Sequence, residues 1–358
     1  MKPTVLSLTI LAVLLGCSKV APSNSEPPRS EPERAESPKP IDPNRIVVVE
    51  TTEHKEHLSI EAEASARLAA KDFAALEDLA DKYRISKECY PTGVWKLMSV
   101  YAGMQPGKNR PPAEWTTDLG NLREWVQAKP DSITARVALA NALVSYGWEA
   151  RGDGTASTVT HTGWKLFHDR LTEAVQVLKQ SQTLDKKCPY FSDVLLTAAM
   201  GLGVDKAQYR ILLQKAIAGE PGYAGYYLDM AYYLLPRWYG NRQDVAAFLQ
   251  GAADKLSPAQ GDLLYARVIW YLERIVGNVF NEEEGLSWER ADRGFQMIES
   301  QFPDSLFVQN GRAYNAVMGC ERTLAPRRLV DSLHGKIDAT AWTSKENFIR
   351  VTRDLYRH

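Results

Sequence analysis

The stretch LAAKDFAALEDLADKY, which spans residues 68–83, indicates the fold class of this chain. Apolar side chains recur in it at steps of three to five residues, at Leu68, Phe73, Leu76, Leu79 and Tyr83. That spacing places them along one face of an α-helix. The same spacing continues from about residue 52 onward, and no convincing set of alternating strands accompanies it. The sequence therefore predicts an all-α fold.

Residue pairs that cap helices support the same prediction. In a capping box, a Ser, Thr or Asp at the helix start is followed three residues later by Glu or Gln. The sequence has such boxes at Ser257–Gln260, Asp205–Gln208 and Thr343–Glu346, and the first has proline at the first helical position. Gly219 stands where a glycine after a helix end belongs. We expect helices to begin or end at these four places.

Proline-bearing segments recur along the chain and predict helix pairs. They lie at residues 129–132, 188–190, 220–223, 257–258 and 302–305, with successive prolines 59, 32, 37 and 45 residues apart. A helix–turn–helix repeat has a period of about 34 residues. This spacing, together with the sequence Ala-Leu-Ala-Asn-Ala-Leu at 138–143, resembles tetratricopeptide repeats. The resemblance implies a degenerate helix-pair solenoid over residues 46–358, in which neighbouring pairs stack on each other.

The N-terminus has the pattern of a secretory signal peptide. Lys2 is followed by an apolar run from Val5 to Leu15 and by Gly16-Cys17. The end of this run resembles the lipobox of bacterial lipoproteins. The resemblance implies that residues 1–16 are removed and that Cys17 carries membrane lipid. Because two or more acyl chains anchor a protein stably, we expect permanent attachment to the cell envelope.

Two alternatives to a lipoprotein signal are an uncleaved transmembrane helix and an ordinary signal peptide with an incidental cysteine. A spanning helix needs about 20 apolar residues, and the run from Val5 to Leu15 is shorter. By the same resemblance, an Asp after the cysteine would favour the inner membrane. Ser18 occupies that position, so we expect the periplasmic side of an outer membrane, if the organism has one.

A linker follows the cysteine. Seven prolines, five serines and four glutamates occupy 16 of the 26 positions from 18 to 43. Such a segment cannot bury enough apolar surface to offset its ordering entropy. We therefore assign residues 17–45 to a lipidated, disordered tether. The next residues, Ile46–Val49, fit either a short strand or an apolar lead-in to the first helix.

Composition limits the classes of partner. The 358 residues carry a net charge of −1, with 44% hydrophobic and 24% charged residues, which is ordinary for a globular protein. Near-neutral charge argues against nucleic acid as a partner, since that function needs a basic surface. Cys89, Cys188 and Cys320 form no CxxC pair, so they are either three thiols or one disulfide with one thiol left over.

Two segments are rich in residues that often form binding sites. The first runs from Tyr146 through Trp148, Glu149 and Arg151 to Gly154, and the second from Tyr226 to Gly240. Their Trp-Glu-Ala-Arg-Gly and Leu-Leu-Pro-Arg-Trp-Tyr-Gly motifs resemble those of an uncharacterised bacterial family, a domain of unknown function. The resemblance is best over residues 130–250. It implies a helical domain and no assigned activity.

These segments supply our candidate binding residues. Pro236 ends the preceding helix and puts three of them at a helix–loop junction. Arginine can hold a carboxylate or phosphate, and Tyr and Trp are frequent binding hot spots. The candidates are Trp148, Glu149, Arg151, Trp164, Arg237, Trp238 and Tyr239. The structural alternative is that Glu149 pairs with Arg237 and that the aromatic side chains belong to the core.

The apolar helix predicted from Leu263 to Val276 can be interpreted in two ways. It contains Trp270 and Tyr271 and fits either the core or a groove for a partner. We favour the core.

The known catalytic and cofactor motifs are absent from the sequence. There is no phosphate-binding loop and no nucleophile elbow, and Gly152-Asp153-Gly154 matches only part of a dinucleotide fingerprint. We expect no catalytic residues, no cofactor and no metal. The leading expectation is a protein- or peptide-binding scaffold. The alternatives are a hydrolase using Glu149, Arg151, His161 and Arg237, or a small-ligand receptor with a pocket around Glu149, Arg151 and Arg237.

Overall fold

A computed structural model of the chain describes residues 42–184, 187–282, 285–319 and 324–356. The signal peptide at 1–16, the lipidation site Cys17 and the tether up to residue 41 lie outside the described residues. The described part is mostly helical, so the prediction of an all-α fold is confirmed at this level. Among the described residues, no helix has the length and hydropathy needed to cross a bilayer.

Seventeen α-helices and two short strands make up the described part. Its first half contains β1 (Val47–Val49), α1 (Thr52–Ala69), α2 (Phe73–Ser86), α3 (Leu97–Gly103), α4 (Pro112–Ala128), α5 (Ile133–Arg151), α6 (His161–Gln180), α7 (Pro189–Gly201) and α8 (Lys206–Gly219). Its second half contains α9 (Gly225–Tyr233), α10 (Asp244–Ala253), α11 (Pro258–Val276), α12 (Val279–Glu282), α13 (Trp288–Gln301), α14 (Leu306–Gly319), α15 (Leu324–Ser332), β2 (Lys336–Asp338), α16 (Ala339–Trp342) and α17 (Lys345–Thr352). Short 3₁₀ turns lie at Pro43–Arg45, Ala156–Thr158 and Arg353–Tyr356.

Each of the five proline-bearing segments separates two helices, as predicted. Pro189 and Pro258 are the first residues of α7 and α11. Pro130, Pro221 and Pro303 lie in the turns before α5, α9 and α14. Proline suits these places because it lacks the N–H that a helix start leaves unpaired and cannot continue a helix already formed.

The predicted caps agree with the structure to within one residue. Asp205 caps α8, and its side chain accepts hydrogen bonds from the N–H groups of Ala207 and Gln208 at 2.9 and 3.0 Å. Ser257 precedes α11, but its hydroxyl donates to the Gln260 side chain at 3.0 Å rather than capping the backbone.

Two cap predictions were wrong by one position. Ser344, not Thr343, caps α17, because the Ser344 hydroxyl accepts from the N–H of Asn347 at 3.0 Å. Gly219 is the last residue of α8, and Glu220 takes the cap position.

The two ends of the described fold are joined. β1 and β2 pair in parallel, with Val47 opposite Lys336 and Val49 opposite Asp338. This settles the segment after the tether as a strand. The 3₁₀ turn at Pro43–Arg45 precedes it, so ordered structure begins within the residues assigned to the tether.

Side chains of early and late helices also touch. The Ser305 hydroxyl, just before α14, donates to the Glu53 carboxylate of α1. The Arg267 guanidinium of α11 donates to the carbonyl of Pro91, in the loop after α2, at 3.4 Å. In an open solenoid each repeat contacts only its neighbours. Here the first helices of the fold also contact α11 and the turn before α14.

Asn310 of α14 joins the C-terminal elements. It is fully buried, and its side-chain oxygen accepts from the N–H of Asp338 at 3.0 Å and from the indole N–H of Trp342 at 2.7 Å. Its amide nitrogen donates to the carbonyls of Leu306 at 2.8 Å and Lys336 at 3.2 Å. One side chain therefore holds α14, β2 and α16 together beneath the strand pair.

Close packing of α1 on α3 leads to a first prediction. A Cβ added to Gly103 would overlap the carbonyl oxygen of Glu61 and lie 2.7 Å from its Cα, so the two helices would have to separate. We expect Gly103→Ala to lower the free energy of unfolding by about 2 kcal/mol. Gly120 of α4 faces open space, so Gly120→Ala should raise it by about 0.5–1 kcal/mol. Urea unfolding followed by circular dichroism measures both, and equal shifts would mean that the two helices are not packed this closely.

Candidate functional site

Four of the predicted binding residues come together around one guanidinium. The guanidinium carbon of Arg151 lies 5.7 Å from the ring centre of Trp148, 6.0 Å from that of Trp164 and 5.3 Å from that of Trp238. The rings of Trp148 and Trp238 meet edge to face at 5.5 Å. The two segments that the sequence motifs singled out are therefore in contact.

Local backbone groups already bind some of the polar atoms of this cluster. Arg151 donates to the carbonyls of Gly152 and Gly154 at 2.9 and 2.8 Å, which ties the loop after α5 to the end of that helix. Glu149 accepts from the N–H of Asn109 at 3.0 Å. The alternative that Glu149 pairs with Arg237 was therefore wrong, since the Glu149 carboxylate binds elsewhere.

Arg237 and Tyr239 lie beside the cluster on the surface. The Arg237 guanidinium is exposed and sits 5.3 Å from the ring centre of Tyr232. The Tyr239 ring stacks on Tyr233 at 4.6 Å, and its hydroxyl donates to the carbonyl of Met200 at 2.9 Å. Through these ring contacts, the turn after α9 packs against α9 itself.

The tryptophan cluster consequently has the features of a packed junction. Cation–π contacts of this kind contribute about 0.5–2 kcal/mol. The indole N–H groups of Trp148 and Trp238 and the Nε of Arg151 have no hydrogen-bond partner among the described residues. Ligand binding by this cluster remains a prediction.

A cleft elsewhere in the fold has more of the features of a binding site. It consists of two adjoining cavities of 380 and 190 Å³ that share Thr92, Val94, Met98 and Arg274. The larger is also lined by Asp193, Tyr223, Leu228, Asp229 and Tyr271. The smaller is also lined by Glu53, His54, His57, Tyr90, Phe307 and Thr340. We call the two cavities together the cleft. Its walls come from both early and late helices.

Arg274 of α11 stands where the two cavities meet. Its side chain is exposed to the cleft, and among the described residues it forms no hydrogen bond and no ion pair. Desolvation by the surrounding protein lowers the pKa of its guanidinium, and the charge of Asp338 offsets this only in part. A cation held in a recess without a contacting counter-ion is suited to binding a carboxylate or phosphate.

Asp193 of α7 and Asp229 of α9 lie together in the larger cavity. The two carboxyl groups interact with each other, and burial raises the pKa of both. For Asp229, the neighbouring Asp193 carboxyl raises the pKa further. Each side chain keeps a partly exposed surface because it lines the cavity. No described Lys, Arg or His lies within ion-pair distance of either.

Unpaired polar atoms and tyrosines surround this carboxyl pair. The Oδ2 atom of Asp229 and the hydroxyl of the fully buried Tyr209 have no hydrogen-bond partner among the described residues. The tyrosines near enough for their pKa to respond to the pair are Tyr190, Tyr209, Tyr223, Tyr226 and Tyr271. Burial raises the pKa of all five, so they stay neutral and leave the pair as the group that titrates.

None of the cleft residues was among the predicted binding residues, although Leu228 and Asp229 lie in the second of the two segments that the sequence singled out. Two of the cleft residues carry a further visible signal. Asp193 and Asp229 are single acidic residues inside the otherwise apolar helices PYFSDVLLTAAMG and GYYLDMAYY. A lone carboxylate in such a helix is expensive to bury and is therefore informative. Tyr271 and Arg274 lie on the helix that fitted either the core or a groove for a partner. Trp270 of that helix is buried in the core, as favoured, and Tyr271 and Arg274 line the larger cavity.

The remaining sequence predictions concern the thiols and the histidines. Cys89 and Cys188 are free thiols, and Cys320 lies outside the described residues. His161 begins α6 and is exposed. In the described ranges, no three metal-ligating side chains cluster closely enough to hold an ion.

Comparison with known proteins adds no further assignment. No family model, curated protein or solved structure matches this chain. The resemblances to tetratricopeptide repeats and to a domain of unknown function therefore remain predictions from the sequence motifs alone.

Proposed function

We propose that this chain is a lipoprotein of the cell envelope, anchored through acylated Cys17, whose helical domain binds a segment of another protein in the cleft. The anchor rests on the signal-peptide pattern and on the resemblance to a lipobox. The binding role rests on one observation above all. In the two adjoining cavities of the cleft, Arg274 and the carboxyl pair, Asp193 with Asp229, have no ion-pair partner among the described residues.

The dimensions and lining of the cleft support a peptide-like ligand. A cavity of 380 Å³ falls in the range of about 300–1,000 Å³ that is usual for binding pockets. The adjoining cavity extends it past Arg274 towards Glu53 and Thr340. Apolar side chains such as Val94, Met98 and Leu228 form much of the wall, with a few polar groups between them. A short extended segment carrying charges of both signs would match this pattern.

The arrangement of the helices is consistent with a scaffold. Turns at the recurring prolines connect successive helices, and neighbouring helices pack along the chain. We take these pairs to be degenerate tetratricopeptide-like repeats whose inner surface forms the cleft. The resemblance to a domain of unknown function over residues 130–250 belongs to the same proposal.

A small-ligand receptor is the second candidate function. The larger cavity favours it, because an apolar recess with a few converging polar groups is typical of such receptors. The hydrolase alternative has less support, since Glu149 and Arg151 bind nearby backbone groups.

Site-specific photocrosslinking in cells tests the proposed function. A photoreactive residue replaces Thr92, in the wall shared by both cavities, and its control replaces Ile85, which is 79% exposed on α2. We expect the Thr92 position to yield a defined crosslinked protein and the Ile85 position to yield none. Arg274→Gln should reduce that product about tenfold if Arg274 binds a charged group of the partner. Its stability should change by less than about 0.5 kcal/mol, because Arg274 forms no ion pair within the described fold.

Two further tests concern the lipid anchor and the small-ligand alternative. Cys17→Ala should abolish incorporation of labelled palmitate into the chain; unchanged labelling would contradict lipidation at Cys17. Equal products from the Thr92 and Ile85 positions, or none from either, would argue against a protein partner in the cleft. Stabilisation of the folded chain by a metabolite would then favour the receptor.

A further inference from the structure

We propose that the carboxyl pair, Asp193 with Asp229, is the place in the cleft that receives a basic side chain of the bound segment, an ammonium group such as that of lysine. This inference rests on the proposed function, since it names the chemistry of a ligand for the same cleft. It is supported by unbalanced charge, by unused hydrogen-bond capacity and by the aromatic surroundings of the pair.

The charge argument comes from comparison with other shielded carboxylates of this fold. Asp262 binds Arg290 at 2.9 Å and Arg293 at 2.6 Å. Asp292 binds Arg312 at 2.8 Å. A carboxylate removed from water is normally balanced in this way, because leaving it unpaired costs several kcal/mol. Asp193 and Asp229 have only each other among the described residues. Burial raises the pKa of both, so a retained proton, rather than a cation, reduces the buried charge.

Unused acceptors show that the pair can bind more than this proton. The Asp229 Oδ2 atom is shielded from solvent and accepts no hydrogen bond from a described residue. The Tyr209 hydroxyl, within electrostatic reach of both carboxyl groups, is also unpaired. Buried polar atoms without partners are uncommon in native folds. An ammonium group carries three N–H donors and so could satisfy several of these acceptors at once.

The aromatic lining favours a cation over a neutral donor. Tyr223 and Tyr271 line the same cavity as the two carboxyl groups. The faces of aromatic rings attract cations, and the attraction strengthens where water is excluded. Arg274, on the same wall, is available to an anionic group of the same ligand. The cleft thus offers separate positions for a positive and a negative charge.

Binding of an ammonium group should displace the proton that the carboxyl pair retains. The titratable groups near the pair are Tyr190 from α7, Tyr209 from α8, Tyr223 and Tyr226 at the start of α9, and Tyr271 from α11, with Arg274 lining the same cavity. The tyrosines hold their protons and Arg274 keeps its charge across the neutral range. The proton released on binding therefore comes from the carboxyl pair, and binding should tighten as the pH rises through the pKa of the pair.

Two short peptides serve as probes for the mature chain. One is an acetylated and amidated Gly-Lys-Gly, and the other has norleucine in place of lysine, which keeps the aliphatic part and removes the charge. We expect the lysine peptide to bind at least about tenfold more tightly than the norleucine peptide, as measured by calorimetry. Calorimetry in two buffers of different ionisation enthalpy should also show a proton released per lysine peptide bound.

Matched variants separate this inference from the proposed function. Asp193→Asn and Asp229→Asn should each abolish the preference for lysine and the proton release. Asp153→Asn removes one carboxylate from an exposed ion pair with Lys108 and should change neither. Equal binding of both peptides, or unchanged lysine binding in the two pair variants, would overturn the inference. If crosslinking at Thr92 still yields a partner in that case, the proposed function stands without it.

Discussion

Asn310→Leu is expected to lower the free energy of unfolding by about 4–6 kcal/mol. This is at least about twice the effect expected for Gly103→Ala. Leucine has a similar volume, so little cavity forms. It cannot hydrogen-bond, however, and leaves the N–H of Asp338, the indole N–H of Trp342 and the carbonyl of Lys336 without their partner. Each such buried group costs about 1–3 kcal/mol. Urea unfolding followed by far-ultraviolet circular dichroism measures the change.

The adjacent residue supplies the control. Gln309 lies on the same helix and donates one hydrogen bond, to the exposed carbonyl of Pro303 at 3.1 Å. We expect Gln309→Ala to change stability by less than about 1 kcal/mol. If the two variants unfold at the same urea concentration, Asn310 does not hold the C-terminal elements together in the way the hydrogen bonds indicate.

Stability should fall as the pH rises from about 4 to about 8, because of Asp193 and Asp229. Burial raises the pKa of Asp193 to about 7, against an ordinary value of 3.8. The folded state therefore holds its proton more tightly than the unfolded state. The resulting stabilisation is complete below the unfolded pKa and is lost as the pH rises through the folded pKa.

Substitution isolates this contribution from that of other titrating groups. Asp193→Asn keeps the shape of the protonated side chain, so the variant should lose less stability than the wild type over the same pH range. At about pH 8 it should be the more stable of the two. Parallel stability curves for the two proteins would mean that Asp193 titrates normally. The measurement is a series of urea unfolding curves at several pH values.

Helices and their boundaries were predictable because their causes are local. The apolar spacing of residues 68–83 correctly indicated helix, but a turn at residues 70–72 divides the stretch between α1 and α2, so Leu68 and the later apolar residues do not share one helix face. Prolines such as Pro189 and Pro258 begin helices, as predicted. The error at α17 shows the limit of local patterns. Thr343 and Ser344 are both acceptable caps, and only the three-dimensional structure selects Ser344.

Contacts between distant parts of the chain were not predictable from the same patterns. Nothing near Val47–Val49 indicates that their partner is Lys336–Asp338, and nothing near Asn310 indicates four hydrogen bonds. The tryptophan cluster was foreseen because its residue types are conspicuous. The cleft was not, since it is formed by ordinary residues, such as Thr92 and Arg274, from parts of the chain far apart in sequence.

The pairing of β1 with β2 has a consequence for the order in which the chain folds. β1 is synthesised near the beginning of the folded part, and β2 near its end. Closing so long a loop is entropically costly, and contacts of large sequence separation form slowly. Until β2 is available, Val47–Val49 present an unpaired edge to any other extended chain. Pairing of β1 with β2 is therefore expected to form late in folding, and the exposed edge of β1 is a site at which newly made chains could associate wrongly before that.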